Sequence, residues 1–69
     1  METYVDVRTN VGDYTVEINT SGWGSAKYTV WTDTGEAVAD GVYSQAYDNF
    51  QEVADAVVEK YLADFELAD

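Results

Sequence analysis

The hydrophobic period of this chain changes once, near Asp48, and that change dictates what it can fold into. Before it, apolar residues alternate with polar ones; after it, they recur every three or four positions. Thr3, Val5 and Val7 point to one side of a first strand, and Tyr4, Asp6 and Arg8 to the other. Tyr14, Val16 and Ile18 share a face of a second, with Thr15, Glu17 and Asn19 opposite. Asn10-Val11-Gly12-Asp13 between them signals a hairpin. An even-length loop pairs Val7 with Val16 and Val5 with Ile18, whereas an odd one turns a strand inside out. In that register Asp6 stands opposite Glu17 on the solvent face, a like-charge pair that costs stability.

Thr20-Ser21-Gly22-Trp23-Gly24-Ser25 reads as a loop, followed by a third strand from Lys27 to Thr32 with Tyr28, Val30 and Thr32 on one face. Asp33-Thr34-Gly35 has the chemistry of a three-residue hairpin loop with Gly35 in the left-handed position. That loop pairs Val30 with Val38 and opens a fourth strand running from Glu36 to about Tyr43. Asp40-Gly41 interrupts its alternation and marks a bulge or an early end.

From Asp48 onward the stripe Phe50, Val53, Ala54, Val57, Tyr61, Leu62 and Phe65 is that of a helix docked on a core. Asp48 with Gln51 fits a capping box, and no Pro or Gly interrupts the run to Asp69. The spacing predicts a helix over about Asp48 to Ala63 with Phe50, Val53, Val57, Tyr61 and Leu62 buried. The fold expected is therefore α+β. It is a single domain over residues 1–69, an antiparallel β-meander of three to four strands with one C-terminal amphipathic helix packed on one face.

Composition then removes function classes. The chain has no His and no Cys, so a His-assisted nucleophile and the usual zinc ligands are missing. Gly22-Trp23-Gly24 lacks the Lys and the helix start of a phosphate-cradling loop, and Asp33-Thr34-Gly35-Glu36 lacks the alternating acids of a calcium loop. No enzyme, metal or cofactor is expected. No apolar run approaches the roughly 18 residues of a membrane span. Met1-Glu2-Thr3-Tyr4 has no basic or apolar signal region, so a soluble cytoplasmic chain is the expectation.

Charge is the informative total. Fourteen Asp and Glu against three Lys and Arg leave a net charge of −11. Spread evenly over about 4,300 Å² of folded surface, those charges stand about 20 Å apart, beyond the ~8 Å Debye length. Only clustered acidity can act. On a helical wheel Asp48, Glu52, Asp55, Glu59 and Glu66 share an arc of about 60° opposite the apolar stripe. A solvated helix normally interleaves Lys at such spacings, and here only Lys60 is available, to one side. The ridge therefore reads either as an ordinary solvated face or as a line of negative charge offered to a basic partner. Four carboxylates over ~16 Å are too dilute to imitate a duplex. Acids of the sheet and turns (Asp6, Asp13, Glu17, Asp33, Glu36, Asp40) are then needed as a second row. With three bases and this charge the chain is not expected to bind nucleic acid or anionic membranes directly. Trp23 between its glycines either anchors a partner or folds back on the core. Trp31 falls on the face away from the helix, as does Tyr4, which makes an aromatic platform.

In size, Lys-poor acidity, lack of Cys and Pro, short meander and acidic terminal helix, the whole chain resembles the small acidic inhibitors encoded by phages and mobile elements, the anti-CRISPR proteins and other DNA mimics. The resemblance rests on overall character and carries over no individual residue. It implies a monomer or weak dimer in the host cytoplasm. Such a protein occupies the basic DNA- or RNA-binding surface of a CRISPR effector or nuclease and blocks target DNA. The partner-facing candidates are Asp48, Glu52, Asp55, Glu59, Glu66, Glu17, Asp33, Glu36, Trp23 and Trp31. Two other readings fit the residues: a halophile-type soluble domain with acids on every face, and an adaptor or subunit-interface module using the Tyr4/Trp31 face.

Overall fold

The computed structural model describes residues 2–20 and 26–67, with side chains as far as Asp64. Strands β1 (Glu2–Thr9), β2 (Gly12–Thr20), β3 (Ala26–Thr32) and β4 (Ala37–Tyr43) precede one helix, α1 (Phe50–Leu67). The strands form an antiparallel meander in the order β1-β2-β3-β4, and α1 covers one face of it. This is the α+β arrangement that the change of period predicts.

The first hairpin differs from the expected register by two residues. Val5 faces Val16, Val7 faces Tyr14 and Thr3 faces Ile18. A shift of two keeps every side chain on its predicted face, so the apolar pattern is satisfied either way. Turn chemistry makes the choice. Thr9 and Gly12 pair directly across a two-residue loop, Asn10-Val11, in place of the four-residue loop that the expected register needs. The Thr9 hydroxyl accepts the Val11 N–H at 3.2 Å and donates to the Gly12 carbonyl at 2.6 Å. Gly12 has φ +144°, a conformation that L side chains resist. Asp6 consequently lies opposite Thr15, whose hydroxyl donates to Asp6 Oδ1 at 3.0 Å, and the expected Asp6–Glu17 pair does not form. Glu17 faces Tyr4 instead.

The 33–35 loop behaves as its sequence predicts. Gly35 is left-handed at φ +87°, its N–H donates to the Thr32 carbonyl, and the Thr32 N–H donates to that of Glu36. The strand after it does not follow the simple register. Val30 pairs with Ala39 and Trp31 with Ala37, so the bulge falls at Val38 rather than at Asp40-Gly41, and β4 begins at Ala37. The bulge turns both Val38 and Ala39 toward the core. Asp40-Gly41 neither bulges nor ends the strand, because Gly41 has another task. It lies opposite Tyr28, and a Cβ there would stand 2.9 Å from the Tyr28 hydroxyl. The missing side chain makes room for the Tyr28 ring to lie across β4.

The core is small and wholly apolar: Val7, Val16, Ile18, Ala26 and Val30 from the sheet, with Val53, Ala54, Val57 and Val58 from α1. Val58 lies outside the predicted stripe, whereas Phe50, Tyr61 and Leu62, expected to be buried, are half-buried at its rim. Phe65 falls outside the described side chains. Rings close the two ends of the core. Tyr43, Tyr47 and Phe50 form a ladder, with centroids 6.2 and 5.9 Å apart, that ties the end of β4 to the start of α1. Tyr61 meets Tyr14 edge-on at 5.8 Å over the start of β2. Such pairs contribute about 0.5–1.5 kcal/mol beyond the area they bury.

The helix starts one or two residues later than predicted, and its cap is different. Asn49 Oδ1 accepts the Glu52 N–H at 2.9 Å, and the Glu52 carboxylate accepts the Asp48 N–H at 3.0 Å. Asn49 with Glu52 replaces the expected Asp48 with Gln51. Asp48 and Asn49 are chemically equivalent caps. The Tyr47–Phe50 contact makes Phe50 the first helical residue, which leaves Asn49 in the capping position.

Candidate functional site

The structure separates the candidate residues into two acidic surfaces on opposite sides of the molecule. The first is the outward side of α1. Asp48, just before the helix, and Glu52, Asp55 and Glu59 on it are all exposed, at spacings of four, three and four. Helical rise sets Glu52 and Asp55 about 4.5 Å apart along the axis, and Asp55 and Glu59 about 6 Å. Two of the carboxylates are held in place locally, Glu52 by the Asp48 N–H and Asp55 by the Gln51 side-chain amide at 2.9 Å. Glu66 belongs to α1, but its side chain is outside the described residues.

The second surface is the sheet face turned away from α1. The register aligns its side chains in rows across the strands. One row runs Tyr4, Glu17, Thr29, Asp40, and the next runs Asp6, Thr15, Trp31, Ala37. Glu2, Asn19, Lys27 and Val42 form a row at one end, and Arg8 with Asp13 lies at the other. The two central rows therefore hold three carboxylates, two aromatic rings and no base. Tyr4 is 62% exposed and Val42 57%, while Glu17 and Trp31 are half-buried. Negative charge on Glu17 and, second, on Glu2 raises the Tyr4 phenol above its ordinary pKa. Tyr4 faces Glu17 directly and stands two residues from Glu2 on the same side of β1, which puts the phenol within the field of both carboxylates. This pairing was missed at the level of sequence; the signal that could have found it was Gly12, which permits the shorter turn.

Asp33 and Glu36 are exposed in the β3–β4 turn, which is stiffened by the Thr32 hydroxyl. That hydroxyl accepts the Glu36 N–H at 3.1 Å. They extend the end of the sheet beyond Trp31. Trp23 lies outside the described residues. The structure thus joins Glu52, Asp55 and Glu59 into one line, with Asp48 tied to its start through the N–H that it donates to Glu52, and brings Glu17 and Trp31 together with Tyr4, Asp6 and Asp40. It does not make the sheet acids a second row beside the helix. With α1 on the inner face of the sheet, the helix ridge and the outer sheet face point in opposite directions.

A half-open groove of about 240 Å³ lies between the end of β4 and α1, lined by Tyr28, Val42, Tyr43, Ser44, Gln45 and Lys60 among others. Its lining supplies phenols and one ammonium but no carboxylate. Among the described residues, no three acids converge as metal ligands, and no helix is long and apolar enough to cross a membrane. Comparison with protein-family models, curated proteins and solved structures finds no match to this chain.

Proposed function

We propose that this chain is an acidic inhibitor that binds a basic nucleic-acid-binding surface, that of a CRISPR effector or nuclease, and keeps target DNA off it. The observation that carries this reading is linear charge density. The described residues hold thirteen Asp or Glu and three Lys or Arg, a net of −10. Over a longest dimension of 36 Å that is one net negative charge per about 3.6 Å. A single nucleic-acid strand carries one per about 3.4 Å and a duplex one per about 1.7 Å. The helix ridge alone is too dilute, but the molecule as a whole reaches the strand's value. A channel that wraps a strand contacts it from more than one side, so an occupant can use both acidic faces. Lys60 stands to one side of the ridge line, and Arg8 and Lys27 lie in the rows that flank the two central sheet rows, so both surfaces keep a net negative charge.

The test is competition. The immobilised protein is exposed to host lysate at low salt, and each retained protein is assayed for DNA or RNA binding with and without the free chain. The reading expects a retained nucleic-acid-binding protein whose target is displaced, with affinity falling steeply as salt rises. Retained proteins that bind nucleic acid equally well at saturating chain would refute it. For site mapping, Glu52 is unsuitable because it holds the helix cap. Asp48, Asp55 and Glu59 replaced together by Lys are expected to lose inhibition through like-charge repulsion. Asp64→Lys with Asp69→Lys serves as control against Asp55→Lys with Glu59→Lys, since the two pairs change net charge equally and the control pair belongs to neither the ridge line nor the sheet face.

One observation favours a second reading, a halophile-type soluble domain: the acids occupy two opposed faces rather than one continuous side. Thermal melts distinguish the two. A halophile-type domain gains stability continuously into molar KCl, whereas an inhibitor tuned to ordinary ionic strength levels off once its self-repulsion is screened.

A further inference from the structure

The outer sheet face has no helix or loop over it among the described residues, and its chemistry selects an occupant. Its aromatic and acidic groups are interleaved by the register. Glu17 is directly opposite Tyr4 and diagonal to Trp31. Directly opposed side chains start about 5 Å apart, and diagonal ones about 7–8 Å. The Glu17 carboxylate is therefore within side-chain reach of both rings. Asp6 is diagonal to Glu17, with its carboxylate oriented by the Thr15 hydroxyl at 3.0 Å, and Asp40 closes the row on the far strand.

A second copy of this chain does not fit there. The face carries Glu2, Asp6, Asp13, Glu17 and Asp40 against Arg8 and Lys27, so two such faces repel each other. Its area points the same way. Four strands at about 4.8 Å spacing and seven residues at about 3.3 Å each make a face of roughly 14 by 23 Å. That is well below the ~800 Å² per partner of a stable protein pair. Charge and area both point to a short basic segment rather than a folded copy.

We propose that this face docks an arginine-bearing segment of a partner, with guanidinium groups stacked on Tyr4 and Trp31 while they pair with Glu17, Asp6 and Asp40. Arginine rather than lysine is specified by the geometry. A planar guanidinium can lie on an aromatic ring and direct its edge N–H groups into a neighbouring carboxylate at the same time. An ammonium is a hydrated point charge and gains less from the ring. The raised pKa of the Tyr4 phenol agrees with the rings lying in a negative field. The inference deepens the proposed function and rests on its premise that the partner's surface is basic.

The test uses two defined probes, an oligo-arginine peptide and an oligo-lysine peptide of equal length, titrated into the ¹⁵N-labelled full chain at low salt. The arginine peptide is expected to bind at least fivefold tighter and to shift the amide resonances of Tyr4, Glu17, Thr29, Trp31 and Asp40. Replacing Tyr4 and Trp31 together by Ala is expected to abolish that preference while leaving the oligo-lysine affinity nearly unchanged. Should that variant melt early, Tyr4→Ile with Trp31→Ile keeps β-forming bulk on the face and removes only the rings. Glu17→Gln is expected to weaken the arginine peptide more than the lysine peptide. Equal affinities, with shifts confined to Asp48, Asp55 and Glu59, would overturn this inference and leave the proposed function standing. Shifts on the sheet without a preference for arginine would overturn the stacking geometry. No binding of either peptide would remove the basic-partner premise along with it.

Discussion

Replacing Asn49 by Ala deletes the side-chain oxygen that accepts the Glu52 N–H at 2.9 Å, so one of the first N–H groups of α1 loses its partner. Truncating such a cap costs about 1 kcal/mol, within a range of roughly 0.5–2. Glu52→Ala removes the other half, the carboxylate on the Asp48 N–H, together with the only acid in the helix's first turn. The lost hydrogen bond and the lost interaction with the helix dipole together cost about another 1 kcal/mol. The halves support one another through a single turn, so the double variant should lose less than the sum. In a domain of this size 1 kcal/mol moves Tm by about 4–8 °C, which is readily measured by far-ultraviolet circular dichroism. Asn49→Asp keeps the acceptor and should melt close to the parent. The rival is Asp48 paired with Gln51, as the sequence alone suggests. If Asp48→Ala lowers Tm by that amount while Asn49→Ala leaves it unchanged, the cap assignment is wrong. The start of the acidic ridge would then move with it.

Val57→Asp places a charge at a side chain that is 4% exposed in the core, and among the described residues no polar group is buried there to receive it. The cost of several kcal/mol rivals the whole stability of a small domain, so the far-ultraviolet spectrum should be that of an unfolded chain; an unchanged melt would mean α1 is not docked. Gly41→Ala forces the Tyr28 ring off β4 and should cost about 1 kcal/mol. Tyr28→Phe removes the atom nearest the new Cβ and should make the glycine replacement milder, an interaction that a double-mutant cycle measures. The Tyr4 phenol should ionise above the ordinary phenol range by carbon-detected NMR, and Glu17→Gln should bring it back down. Because its folded pKa is raised, the native state loses stability as pH climbs from the unfolded phenol value through the folded one. Glu17→Gln should flatten that loss, and an unmoved Tyr4 titration would show the two groups are not neighbours.

The face of each residue in β1, β2 and β3 was legible in the sequence, since alternation at period two assigns Val5, Val7, Val16, Ile18 and Val30 to one side whatever their partners, whereas the bulge at Val38 reversed the alternation expected for β4. The left-handed Gly35 was legible too, because only turn chemistry is needed to place it. What alternation cannot register is a slide of two residues, which changes no face. The Thr9 side chain and Gly12 decide it by closing a two-residue loop, and that slide takes Asp6 from Glu17 to Thr15 and gives Glu17 to Tyr4. The cap was ambiguous for a similar reason. Asp48 and Asn49 are interchangeable as isolated acceptors, and it is packing of Phe50 on Tyr47 that selects between them. Period 3.6 likewise put Asp48, Glu52, Asp55 and Glu59 on one line without reference to the rest of the molecule. Whether the sheet acids stand beside that line or behind it depends on which face α1 covers. Burial of nine apolar residues between helix and sheet settles that, because the face they occupy is the only one the helix can cover. The acids are left on two opposed surfaces by the same packing that holds the chain together.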